Sequence, residues 1–151
     1  MVGRILILAA LGAGAAAAIG IRSADMSAEA WHVDPDSGAR TGKPNDYLVA
    51  EGGDRAPFVS SLAPADLGAR LDAVALAEAR TEVLAGSAAE GWVTYLQRSA
   101  MMGFPDAVSV RIAPEGDGSR LTAWSRSRYG HSDLGVNKAR LERWLAALEA
   151  G

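Results

Sequence analysis

Residues 107–126 read AVSVRIAPEGDGSRLTAWSR, and this stretch decides the fold class. Val108, Val110 and Ile112 alternate with Ser109 and Arg111, the period of two that puts apolar side chains on one face of a half-buried strand. Glu115-Gly116-Asp117-Gly118-Ser119 then supplies the turn residues of a hairpin loop. A second strand from Arg120 to Arg126 is expected to run back beside the first.

Upstream, Thr81 to Ala85 and Gly91 to Gln97 read as two further strands, and a helix is expected from Pro64 to Glu78. Pro64 suits a first helical turn, and Leu67, Leu71, Val74 and Ala75 follow the i, i+4, i+7, i+8 spacing of one buried face. Downstream, a last helix begins near Leu134 with Asp133 or Ser132 as N-cap and aligns Leu141, Trp144, Leu145 and Leu148. Short connections favour an antiparallel meander with both helices on one face. The expected fold is α+β: an N-terminal hydrophobic helix, then a two-layer sandwich of a four-stranded antiparallel sheet and two helices.

Three regions are distinguished: 1–22 as membrane anchor or signal peptide, 23–63 as a loop-rich wrap, and 64–151 as the α+β core. The wrap and core are expected to form one domain. Pro35, Gly38, Gly42, Pro44, Gly52, Gly53 and Pro57 interrupt any long helix or central strand in the wrap. Trp31-His32-Val33 and Tyr47-Leu48-Val49 are its two candidates for short extended segments across the core.

Ile5 to Ile21 is free of charge and bracketed by Arg4 and Arg22. As a helix it would span roughly 26 Å, slightly less than the roughly 30 Å hydrocarbon core of a bilayer. It reads as an uncleaved anchor, with a cleaved signal peptide as the alternative, since Ala16-Ala17-Ala18 and Ala18-Ile19-Gly20 offer small-residue cleavage sites. A cytoplasmic N-terminus would place the domain on the periplasmic side of a Gram-negative envelope, or leave it an exported soluble form after cleavage.

A formal net charge of -3 argues against nucleic acid, whose duplex form demands a clustered excess of Lys and Arg. With no cysteine there is no disulfide, thiolate zinc site or thiol nucleophile. The two histidines, His32 and His131, form no helical metal-binding pair. No metal and no cofactor is expected. Partners are expected to be the membrane through residues 5–21, and a membrane-protein complex or an anionic ligand.

Chemistry concentrates between Ser119 and Arg140, in SRLTAWSRSRYGHSDLGVNKAR. Arg126, Arg128, Asn137 and Lys138 are the candidate ligand-binding residues, because a helix N-terminus and nearby guanidinium groups both favour an anion. Strand alternation puts Arg126 and Arg128 on one face, with Ser125 and Ser127 on the other. Asn137 falls on the core stripe of the last helix, where a buried amide must find partners. Ser127, His131 and Asp133 are the weaker candidates for a catalytic serine, base and orienting acid, since no Gly-x-Ser-x-Gly elbow surrounds the serine.

Five segments carry a family resemblance: WHVDP at 31–35, PNDYLV at 44–49, RTEVL at 80–84, YLQRSAMMGFPDAVSVRI at 95–112 and SRSRYGHSDLGVNKARLERWL at 125–145. Together they resemble the domain of unknown function 1499 family. The resemblance implies no catalytic residue. It implies envelope or organellar proteins that often carry a hydrophobic leader. The functional expectation is a membrane-tethered, non-catalytic binding or accessory domain that recognises an anionic group or partner protein. The alternative is a small envelope enzyme using Ser127, His131 and Asp133.

Overall fold

The hairpin read from residues 107–126 lies inside the sheet of the computed structural model, which describes Gly20 and residues 25–151. In chain order the elements are α1 (Ala28–Trp31), β1 (Asp46–Val49), β2 (Phe58–Ser60), α2 (Pro64–Ala77), β3 (Thr81–Ser87), a 3-10 turn (Ala88–Glu90), β4 (Trp92–Arg98), β5 (Pro105–Glu115), β6 (Gly118–Ser127) and α3 (Val136–Ala150). The expected anchor lies outside the described residues. Among the described residues no helix is long and apolar enough to cross a membrane.

The sheet has six strands, not the four expected, in the order β1-β6-β5-β4-β3 with β2 also on β6. All pairings are antiparallel. The two extra strands divide the outer edge of β6 between them: Tyr47 pairs with Ser125 and Phe58 with Leu121. Both are too short, at four and three residues, to show a hydrophobic period of their own. Only the edge of β6 organises them.

On one face, Val108, Val110 and Ile112 of β5 and Leu121 and Ala123 of β6 meet Leu67 and Leu71 of α2 and Leu141, Trp144, Leu145 and Leu148 of α3. This is the main core, and the helical phases expected from sequence are those observed. Trp144 stands edge-on to Tyr95, with ring centroids 5.6 Å apart at 88°. Gly68 lets α2 approach the 3-10 turn, for a Cβ there would lie 2.3 Å from the Ala88 carbonyl oxygen.

The opposite face is also covered, so the architecture is not a two-layer sandwich. Residues 25–41 cross it as a largely irregular third layer. Met26 packs with Leu96 and Ala107, His32 stacks on Trp92 at 4.1 Å, and Asp36 accepts from Thr122 Oγ1 at 3.2 Å. Gly38 passes over Trp124, where a Cβ would sit 2.3 Å from Cζ3, and Arg40 pairs with Asp46 of β1. Sequence periodicity misses this layer because its contacts are made residue by residue, without a helical or strand repeat.

Candidate functional site

The alternation of β6 separates two groups of polar residues. Ser125 and Ser127 face α3, whereas Trp124 and Arg126 face the wrap. Each group builds a different kind of environment.

On the helix side the polar atoms satisfy one another. Asn137 is fully buried; its amide oxygen accepts from Ser125 Oγ at 2.6 Å and Arg140 Nη1 at 2.8 Å. Its amide nitrogen donates toward the Asn45 carbonyl, Ser127 Oγ and Asp133 Oδ2, at 3.0, 2.9 and 2.7 Å. Arg140 pairs with Asp106 at 2.7 Å, donates from Nε to Gln97 at 2.5 Å and reaches Ser125 Oγ at 2.8 Å. A buried cation with its carboxylate and three further acceptors is a strut that ties α3 to β4, β5 and β6. Gln97 had no signal beyond its place at the end of an expected strand, and Asp106 fell just outside the strand expected from Ala107, which the structure begins at Pro105.

The helix start corrects the expected geometry. α3 begins at Val136 rather than near Leu134, which sits in the left-handed region at φ 54°. Gly135, also left-handed, occupies the formal N-cap position. Asp133 nevertheless supplies the capping carboxylate, accepting from Gly135 N and Asn137 N, each at 2.9 Å. The negative group that a helix N-terminus attracts is thus already provided by the chain.

Lys138 is exposed on α3 with its Nζ 6.0 Å from the Tyr47 ring, across the sheet from Arg126, so the two cations do not converge. Ser127 and Asp133 both contact Asn137 instead of a histidine. His131 is exposed, and among the described residues none hydrogen-bonds its ring.

The wrap side differs. Arg126 is buried, and its guanidinium lies 4.3 Å from the centroid of Trp124 and 5.5 Å from that of Trp31. Nη1 donates to Ser109 Oγ and the Trp124 carbonyl, both at 3.2 Å, and Nη2 to the Trp31 carbonyl at 2.5 Å. Every one of these acceptors is neutral. Among the described residues no carboxylate lies within ion-pair distance of Arg126, and its Nε–H has no acceptor. Asp46 is the nearby acid, but it is held by Arg40 at 2.5 Å and by Trp124 Nε1 at 2.9 Å. Burial pushes the Arg126 pKa down to about 10, which leaves it charged at neutral pH.

Arg126 lines a cleft of about 410 Å³ whose walls include Trp31, Val33 and Trp124 and whose rim carries Lys43 and Arg128. Two larger cavities also hold cations: one of about 570 Å³ near Gly151 contains Arg70 and Arg55, the latter paired with Glu142 and Glu149, and one of about 450 Å³ contains Arg80 and Arg98 beside Arg140 and Arg143, which pair with Asp106 and Glu78. The cleft around Arg126 differs from both in setting a buried guanidinium, with no ion-pair partner among the described residues, against two tryptophan rings, and this makes it the better candidate site. Among the described residues no cluster of His, Asp or Glu is arranged to hold a metal ion.

The family described as "Protein of unknown function (DUF1499)" matches residues 27–148, which takes in the wrap from Ser27, every strand, α2 and all but the last two residues of α3. The chain belongs to this family. The match spans Trp31, Lys43, Trp124, Arg126 and Arg128, so the whole Arg126 cleft lies within the family domain. No curated protein and no solved structure matches the chain.

Proposed function

We propose that this domain of the 1499 family is a membrane-tethered, non-catalytic binding module, and that its ligand is an anionic group carried on an apolar body. The observation that carries the reading is the buried charge of Arg126, which no carboxylate among the described residues contacts directly, beside an open cleft. Asp46, the acid in the wall of that cleft, is held by Arg40 and Trp124. A buried guanidinium without a carboxylate is costly, and an anion entering the cleft supplies the missing partner. Trp31, Trp124 and Val33 give an apolar body a place to lie, while Lys43 and Arg128 add positive potential at the mouth. Attachment through the uncharged residues 5–21 places the domain at a membrane on the periplasmic side, or releases it there if the leader is cleaved.

Because Trp31 and Trp124 line the cleft, tryptophan emission reports occupancy directly. The test is a titration of the protein with acetate, hexanoate and inorganic phosphate, repeated on Arg126→Gln. Hexanoate is expected to bind more tightly than acetate, with a response that weakens with salt and disappears in the variant. Identical titrations of both proteins, or flat titrations for all three anions, would rule this reading out.

A further inference from the structure

The end of the domain beyond the C-terminus of β6 gathers apolar side chains that the core does not use. Leu134 is 93% exposed and Val136 49%, and with Phe104 and Tyr129 they line one shallow hollow. The rings of Phe104 and Tyr129 lie 6.1 Å apart. A contiguous exposed apolar patch marks a contact site, whereas apolar side chains exposed singly do not.

Basic side chains surround it. Arg128 lies over the Tyr129 ring at 5.4 Å, Lys43 shares the Arg126 cleft with Arg128, and Arg80 shares a groove with Val136. All three are exposed, and among the described residues none is ion-paired. Three of the neighbouring acids are engaged internally, since Asp133 caps α3, Asp106 pairs with Arg140 and Glu78 with Arg143, while the exposed Asp25 is the acid that remains at this end. An apolar centre with a cationic rim matches the interfacial zone of a bilayer, acyl boundary inside and phosphate headgroups around it.

The chain itself says which way this end faces. Asp25 is tied to it, its carbonyl accepting from Arg128 Nη1, and Met26 is buried next to it. Only residues 22–24 separate Asp25 from the uncharged run that ends at Ile21. Four residue steps span at most about 14 Å when fully extended. If residues 5–21 enter a membrane, the surface holding Asp25 is necessarily beside it.

We infer that the end formed by Phe104, Tyr129, Leu134 and Val136 rests on the lipid bilayer, with Lys43, Arg80 and Arg128 directed to anionic headgroups. The inference rests on the membrane-tether part of the proposed function and not on the anion cleft. It turns the mouth of that cleft, marked by Arg128 and Lys43, toward the headgroup layer. An amphiphilic anion then reaches Arg126 from the membrane without crossing bulk water.

The chain contains no cysteine, so single cysteines can be introduced cleanly. Full-length Leu134→Cys and Val59→Cys proteins are labelled with an environment-sensitive fluorophore and reconstituted into phosphatidylcholine–phosphatidylglycerol vesicles carrying a spin-labelled lipid. Val59 is 63% exposed and pairs with Arg120 on β2, toward the far end of β6 from Tyr129. The run from Arg120 to Ser127 separates the two ends by about 23 Å, at roughly 3.3 Å per residue. The Leu134 probe is expected to shift to the blue and to be quenched several-fold more than the Val59 probe. Replacing Lys43, Arg80 and Arg128 by Gln should reduce that quenching, and Arg126→Gln should not. Vesicle flotation of the protein with equal, weak quenching at both positions would overturn the orientation while leaving the tether intact. Failure of the protein to float with vesicles would overturn both.

Discussion

Replacing Arg126 by Met tests whether this residue serves the fold or a ligand. Arg126 is 8% exposed, and burial lowers its pKa from the ordinary guanidinium range to about 10. At about 1.4 kcal/mol per pH unit, holding the charge in the empty cleft costs on the order of 3 kcal/mol. Met removes that cost and also removes the three hydrogen bonds to Ser109 and the Trp124 and Trp31 carbonyls. At about 1 kcal/mol net for each bond the two changes nearly offset, so the unliganded protein should change stability by no more than about 1 kcal/mol. The liganded proteins should part company. An anion at about one hundred times its dissociation constant adds roughly 2.7 kcal/mol to a protein that binds it only when folded. The assay is urea unfolding of detergent-solubilised protein, followed by near-ultraviolet circular dichroism, with and without hexanoate. Wild type should gain stability with hexanoate and Arg126→Met should not. A variant that loses more than about 3 kcal/mol unliganded, while both proteins respond equally to the anion, would make Arg126 a structural strut and refute the reasoning.

His32, half-buried against Trp92 and bonded through Nδ1 to Thr94 Oγ1 at 2.8 Å, has its pKa lowered below 6.5 by desolvation. The unfolded chain therefore binds this proton first: stability is complete above pH 6.5, falls as pH drops below it, and levels once the folded-state pKa is passed. Thermal unfolding across that range should show the loss in wild type and a shallower one in His32→Gln. Asn137→Ala leaves Ser125 Oγ, the Asn45 carbonyl and Arg140 short of a partner, and should cost about 2 to 4 kcal/mol with the binding titrations preserved. A selective loss of binding at unchanged stability would instead make Asn137 a ligand contact. Trp144→Ala empties the core beside Tyr95 and should cost about 3 to 5 kcal/mol; under about 1 kcal/mol would contradict the burial seen here. Gly38→Val should disturb the Trp124 wall and weaken hexanoate binding more than it changes the unfolding midpoint, for Gly38 lies against that ring.

Much of this arrangement is written locally. The period of two over 107–113, the turn residues at 115–119 and the helical spacing of Leu141, Trp144, Leu145 and Leu148 each depend on neighbours within one or two turns of chain. The same logic separates Arg126 from Ser125 and Ser127, since adjacent strand residues point to opposite faces. Asp133 as the capping group was legible for the same reason, while the left-handed Leu134 and Gly135 that delay α3 to Val136 were not.

What tertiary structure alone decided is which long-range partners each polar group meets. β2 exists as a strand because β6 has a free edge, and its three residues carry no period to announce it; Tyr47-Leu48-Val49 was legible as a short extended segment, but its pairing with β6 was not. Lys138 is four positions after Leu134 in sequence, yet it stands across the sheet from Arg126, which removes it from the site. Lys43 and Trp31 join the cleft only because the wrap folds over the sheet. Arg140 and Arg126 are indistinguishable as letters in an arginine-rich segment; one meets Asp106 and becomes a strut, the other meets only neutral acceptors and an open cleft. Composition sets the number of charges, but the free energy of each depends on its burial and on the nearest opposite charge, and both are properties of the folded chain.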